Sequence, residues 1–229
     1  MELRMFGRFV LALLLIAPPS VSVAQSGPFD PRKYQTITGD EVTQVLVIGT
    51  PHLSGVPDGF DPAVLEPVLA RLETFAPDII TIEALSGESL ETLRDYRGIY
   101  QTTAEDFGRR TLTIAALARA AVGLDLPEAE AEARKALAAL PAEPTASERR
   151  HLAALFAASG DPHSALLQWR RLGSGERKAG DGVTTELAAA LDRLDVGKNE
   201  NQMIGVTLAA RLGLERIYPA DDHSSDDIP

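Results

Sequence analysis

Two short apolar runs, QVLVIG at 44–49 and DIITIEAL at 78–85, constrain this chain more than any other feature. Both are rich in β-branched residues and too short for a buried helix, so each reads as a buried strand. The stretch between them, FDPAVLEPVLARLETFAPD, reads as a helix. Asp61 can cap it, Pro62 suits its first turn, and Val64, Val68, Leu72 and Phe75 recur at helical spacing. Pro67 either kinks this helix or delays its start. Strand, helix and strand of these lengths make a βαβ unit, with parallel pairing and a right-handed crossover. A third strand, from about Leu214 to Pro219, follows the amphipathic stretch NENQMIGVTLAARLG at 199–213, which Gly213 ends.

Everything from about Ser86 to Asp195 reads as helical. Thr102 with Glu105, and Thr145 with Glu148, have capping-box spacing, and Gly123 suits a C-cap. Gly160-Asp161-Pro162 turns the chain from RRHLAALFAAS into HSALLQWRRL. This helix pair resembles one tetratricopeptide-type hairpin, and a single copy makes no solenoid. GSGERKAGDG at 173–182 is a polar loop. The expected fold class is α/β: a small, mainly parallel sheet with flanking helices and a large all-helical insertion over about 86–195.

Residues 1–24 read as a secretory signal peptide. Arg4 and Arg8 form its basic start, Phe9 to Ala17 its apolar centre, and Ser22-Val23-Ala24 its cleavage site. The apolar centre is far short of the roughly 20 residues that span a bilayer, so no stable membrane anchor is expected. Residues 25–229 are then a single α/β domain, periplasmic or secreted. The chain has no cysteine, so packing alone must hold it. Its net charge is -11, and removing Glu2, Arg4 and Arg8 with the signal leaves -12. Such acidity repels phosphate backbones and argues against nucleic acid as a partner.

Each expected strand finishes on a polar signature: Gly49-Thr50-Pro51-His52, then Glu83, then Asp221-Asp222-His223. In open α/β sheets ligands bind beyond the carboxyl ends of parallel strands, so these residues are expected to converge. Glu83, His52 and His223 are the candidate catalytic residues: Glu83 as general base, the histidines as proton carriers. His52, Glu83, Asp222 and His223 are equally a candidate ligand set for a divalent metal such as Mn or Zn, which would lower the pKa of a bound water. Asp222 is expected to orient His223 or bind that metal. No cysteine and no G-x-S-x-G are present, so a thiol nucleophile is excluded and a serine elbow unsupported. No glycine-rich phosphate loop follows the first run, against a nucleotide fold. His151 and His163 read as surface residues. Asn199 and Glu200 open a helix and read as its caps, with pointing into the site as the alternative, and Asp226 and Asp227 read as a solvated tail.

These landmarks resemble a superfamily that joins TraB and TIKI proteins, erythromycin esterases and ChaN haem-binding proteins. Its shared pattern is an early G-x-x-H after a strand, a glutamate after the next strand, and a late second G-x-x-H. The matches are Gly49 to His52, Glu83, and Ala220 to His223, with Ala220 standing where the second motif has glycine. In overall look, with its GTPH, NEN and DDH landmarks, the chain is also similar to a family of exported bacterial proteins. The esterase and TIKI branches imply hydrolysis of a small-molecule or peptide substrate, by metal-bound or glutamate-activated water. The ChaN branch implies the alternative, a non-catalytic periplasmic module binding haem or metal. A third reading is an interaction protein using the helical hairpin at 147–172.

Overall fold

The computed structural model describes residues 30–34, 36 and 42–226, so the expected signal segment lies outside the described residues. The chain divides into two units, residues 1–48 and 49–229. Within the first, Pro31–Tyr34 forms a 3₁₀ turn, and Arg32 pairs with Asp30 at 2.9 Å. The run expected as the first strand forms none: Val45 is 79% and Val47 85% exposed, and Leu46 and Ile48 are also open to solvent. A strand needs cover for its backbone and for at least one face, and here neither set of alternate side chains is buried.

In the second unit, Asp61 accepts a hydrogen bond from the Ala63 amide and starts a 3₁₀ turn over Pro62–Leu65. Helix α1 follows at Glu66–Phe75. Pro67 lies in the first turn of α1, where its missing N–H costs nothing, so it delays the α-helix without kinking it. The buried stripe is Leu69 and Leu72, while Val64 and Val68 are exposed, so of the four expected positions only Leu72 is fully buried. Ala76, in the left-handed region at φ 49°, ends the helix.

The sheet has two short strands, β1 at Thr81–Ile82 and β2 at Tyr218–Pro219, paired in parallel with Thr81 opposite Tyr218. Backbone bonds continue the pairing on both sides: Tyr218 N to Ile80 O, Ala220 N to Ile82 O and Asp221 N to Ala84 O, at 2.9–3.1 Å. This brings Glu83 and Asp221 to the same end of the pair. Ile80, Ile82 and Ile217 are buried and Ile79 is exposed, so one face of the strands carries the packing.

Between the strands lie α2 (Gly87–Asp95), α3 (Arg97–Tyr100), α4 (Thr103–Val122), α5 (Leu126–Ala138), α6 (Ala146–Ala158), α7 (Pro162–Arg170) and α8 (Thr185–Asp195). The molecule is mostly helical. Helix α6 is the centre: Leu152 to Ala158 are all buried, and their small alanines let α4, α5 and α7 approach closely. Thr145 and Glu148 make the expected capping box, and Asp125 with Glu128 makes a second. Thr102 makes none, because its hydroxyl donates to Asp106 instead.

Helix α7 fixes β2. Ser164 Oγ donates to the Ile217 carbonyl and accepts from the Ile217 amide. Gln168 donates to Glu215, whose carboxylate also pairs with buried Arg149. His163 is half-buried, not on the surface as expected. Burial, with Arg110 nearby, pulls its pKa to about 4.

After α8 the amphipathic stretch is split: Asn201–Val206 winds as a π-helix, then α9 runs over Thr207–Arg211. Gly213, at φ 73°, follows α9. Gly205 lets this segment lie against the strands, since a Cβ there would meet Ile82 Cγ2 at 2.8 Å and Ile217 Cδ1 at 3.1 Å.

Candidate functional site

His52 is held by Glu200, at the start of the helical stretch after Asn199. Its Nδ1 lies 2.9 Å from Glu200 Oε1, and the other carboxylate oxygen of Glu200 accepts the Leu53 backbone N–H at 2.9 Å. Both oxygens of Glu200 therefore grip the same loop. Leu53 is buried and anchors that loop, which leaves the His52 side chain 71% exposed. A second tie lies five residues on, where Lys198 donates to the Pro57 carbonyl and pairs with Asp58 at 2.8 Å.

A π-helical turn follows Glu200, and such turns recur at functional sites. Glu200 sits at the entry of the turn, and Asn201 in its first position donates Nδ2–H to the Glu83 carbonyl at 2.9 Å. Adjacent residues thus hold the His52 loop and the end of β1. The Glu83 side chain is exposed, and its charge acts on His52.

Electrostatics follow from these contacts. The hydrogen bond and charge of Glu200, with that of Glu83, raise the His52 pKa above its ordinary value. Burial works to raise the pKa of Glu200, but its bonds to His52 and to backbone N–H groups prevail and hold it below the ordinary value. Glu200 is therefore a carboxylate at neutral pH. It accepts from Nδ1–H, which places the lone pair of neutral His52 on exposed Nε2.

His223 occupies a different setting. Its ring stacks on Phe107 of α4, centroids 3.6 Å apart. Nδ1 lies 2.6 Å from Asp226 Oδ2, and Nε2 lies 3.1 Å from Asp221 Oδ2. Both nitrogens are thus engaged, and proton transfer or metal ligation by either requires losing a carboxylate contact. The partners of His223 are Asp221 and Asp226. Asp222, expected in that role, is exposed and accepts instead from the Ser224 amide. Asp226, read as solvated tail, is the closer partner.

Among the described residues, no three His, Cys, Asp or Glu side chains form a group that could hold a metal ion. Among the described residues no helix is long and apolar enough to cross a membrane. No protein-family model matches the chain, nor does any curated protein or solved structure match it.

Proposed function

We propose that the chain is an exported hydrolase, periplasmic or secreted, in which His52 is the general base that activates water. The observation that carries this reading is the Glu200 carboxylate on His52 Nδ1, with the ring exposed. A base needs a fixed tautomer, a free nitrogen and access to substrate, and this pair supplies all three. Glu200 orients the imidazole and stabilises the imidazolium that forms when Nε2 takes a proton from water. Glu83 adds negative charge beside the same ring, which favours that protonated state. The protonated ring then returns its proton to the leaving group. Water is the nucleophile in this scheme, since the chain has no cysteine and no G-x-S-x-G.

The resemblance to the esterase and TIKI branches points to a small-molecule or peptide substrate. The helices between β1 and β2 are read here as an insertion into the sheet that flanks the site. A screen of esters, amides and peptides, run with and without Mn²⁺ or Zn²⁺, tests the proposal. His52→Ala is expected to abolish the activity found and Glu83→Gln to lower it. An activity indifferent to both substitutions contradicts the assignment.

A further inference from the structure

Helix α2 and the start of α4 enclose a second polar feature, independent of His52 and of the hydrolase reading. A cavity of about 230 Å³ is lined by Arg94, Arg97, Gln101, Thr102 and Glu105. We propose that this cavity is a binding site for a small oxyanion, gripped by the guanidinium groups of Arg94 and Arg97.

The first ground is an incompletely satisfied guanidinium: the Arg94 side chain is 38% exposed and pairs with Glu105 only at 3.7 Å. Arg94 Nε is buried and has no hydrogen-bond partner. Its nearest carboxylate oxygen, on Glu105, stands 3.7 Å away, which is beyond hydrogen-bond length. Arg97 uses Nε on the Arg94 carbonyl at 3.1 Å, and among the described residues it makes no ion pair. A buried charged N–H without an acceptor is costly. An oxyanion removes that penalty, because its several oxygens accept from guanidinium forks.

The second ground is the rim. Gln101 links α3 to α4 at φ 48° and ψ -109°, a left-handed backbone that a side-chain-bearing residue rarely adopts. Gln101 lines the cavity together with the two arginines. Thr102 donates its hydroxyl to Asp106, so the donors left for a ligand are the guanidinium and amide groups. Glu105 is the one acidic residue of the lining, and it competes with an incoming anion for Arg94.

The chemistry fits a phosphate or a carboxylate group, and the test separates them. The full chain is titrated with inorganic phosphate and, separately, with acetate, at ionic strength held constant with sodium chloride. Arginine Nε–Hε resonances and the melting temperature are followed. Saturable shifts at Arg94 and Arg97, with a rise in melting temperature, are expected for at least one anion. The tighter anion identifies the group recognised. Arg97→Gln, at an exposed position, is expected to weaken binding about tenfold, the loss of a charge-assisted hydrogen bond. Glu105→Gln is expected to tighten it. Shifts that never saturate, or equal affinity in Arg97→Gln and the unsubstituted chain, overturn the proposal.

Discussion

His52 Nδ1 and Glu200 Oε1 stand 2.9 Å apart although 148 positions separate them in the chain. The pairing depends on two segments meeting: the loop after Gly49, anchored by Leu53, and the π-helical turn that begins at Asn201. Asn201 joins the same assembly by donating to the Glu83 carbonyl. Asn201→Ala should therefore loosen the end of β1 without unfolding the helices. Its expected effect is faster amide exchange at 83–85 and a loss of about 1 kcal/mol, read from chemical denaturation. Unchanged exchange there would remove Asn201 from the account.

Two glycines permit close approaches and should respond differently to alanine. At Gly87 a Cβ would lie 2.0 Å from the Ser159 carbonyl oxygen, which is backbone at the α6–α7 turn. At Gly205 it would meet side-chain tips of Ile82 and Ile217, which can shift. Gly205→Ala should cost about 1–2 kcal/mol and Gly87→Ala about 3 kcal/mol or more, by denaturant unfolding. The reverse order would contradict the packing described.

Asp161 and His163 should oppose each other in acid. Burial raises the Asp161 pKa from 3.8 to about 6, so the folded state gains a proton that the unfolded chain lacks as pH falls from 6 towards 4. Folding is thereby favoured. Burial lowers the His163 pKa from 6.5 to about 4, so over the same window the unfolded chain gains the proton and folding is disfavoured. Each effect is of order 2–3 kcal/mol. His163→Gln should leave the Asp161 effect alone, so that its stability rises between pH 6.5 and 4 relative to the unsubstituted chain. Melting curves across that range check the sign.

His223 should work as a pH-dependent latch for the segment 221–226. Burial lowers its pKa, but the bond to Asp226 and the charges of Asp221 and Asp226 prevail and lift it above 6.5. The contribution is full below pH 6.5 and is lost as pH rises through the folded-state value. Amide exchange at 221–226 should quicken over that rise, and in Asp226→Asn it should be fast at both ends. Exchange independent of pH-linked opening would show that the stack on Phe107 alone holds the segment.

The sequence made some of this legible and hid the rest for physical reasons. DIITIEAL reads as a strand because β-branched Ile80 and Ile82 alternate and are buried, and the segment ending at Pro219 contributes buried Ile217 beside them. QVLVIG has the same pattern, yet a pattern states only what a run can bury, and Val45 and Val47 are 79% and 85% exposed. Glu200 was hidden because a glutamate opening a helix looks like a cap. Its partner His52 lies 148 positions away, and no local periodicity announces such a contact. Asp226 was hidden in an acidic tail, where composition masks a specific contact. The spacing of Thr145 and Glu148 was readable since a capping box is wholly local.

The most direct test of the central claim is the protonation of His52, followed by its ring-proton resonances as pH is varied. With Glu200 ionised on Nδ1 and Glu83 nearby, the midpoint should lie above 6.5. Glu200→Gln removes the larger influence and should bring the midpoint down towards 6.5, with Glu83→Gln producing a smaller fall. A midpoint that is the same in the unsubstituted chain and in Glu200→Gln would contradict the account, because His52 would then owe its state to solvent and not to Glu200.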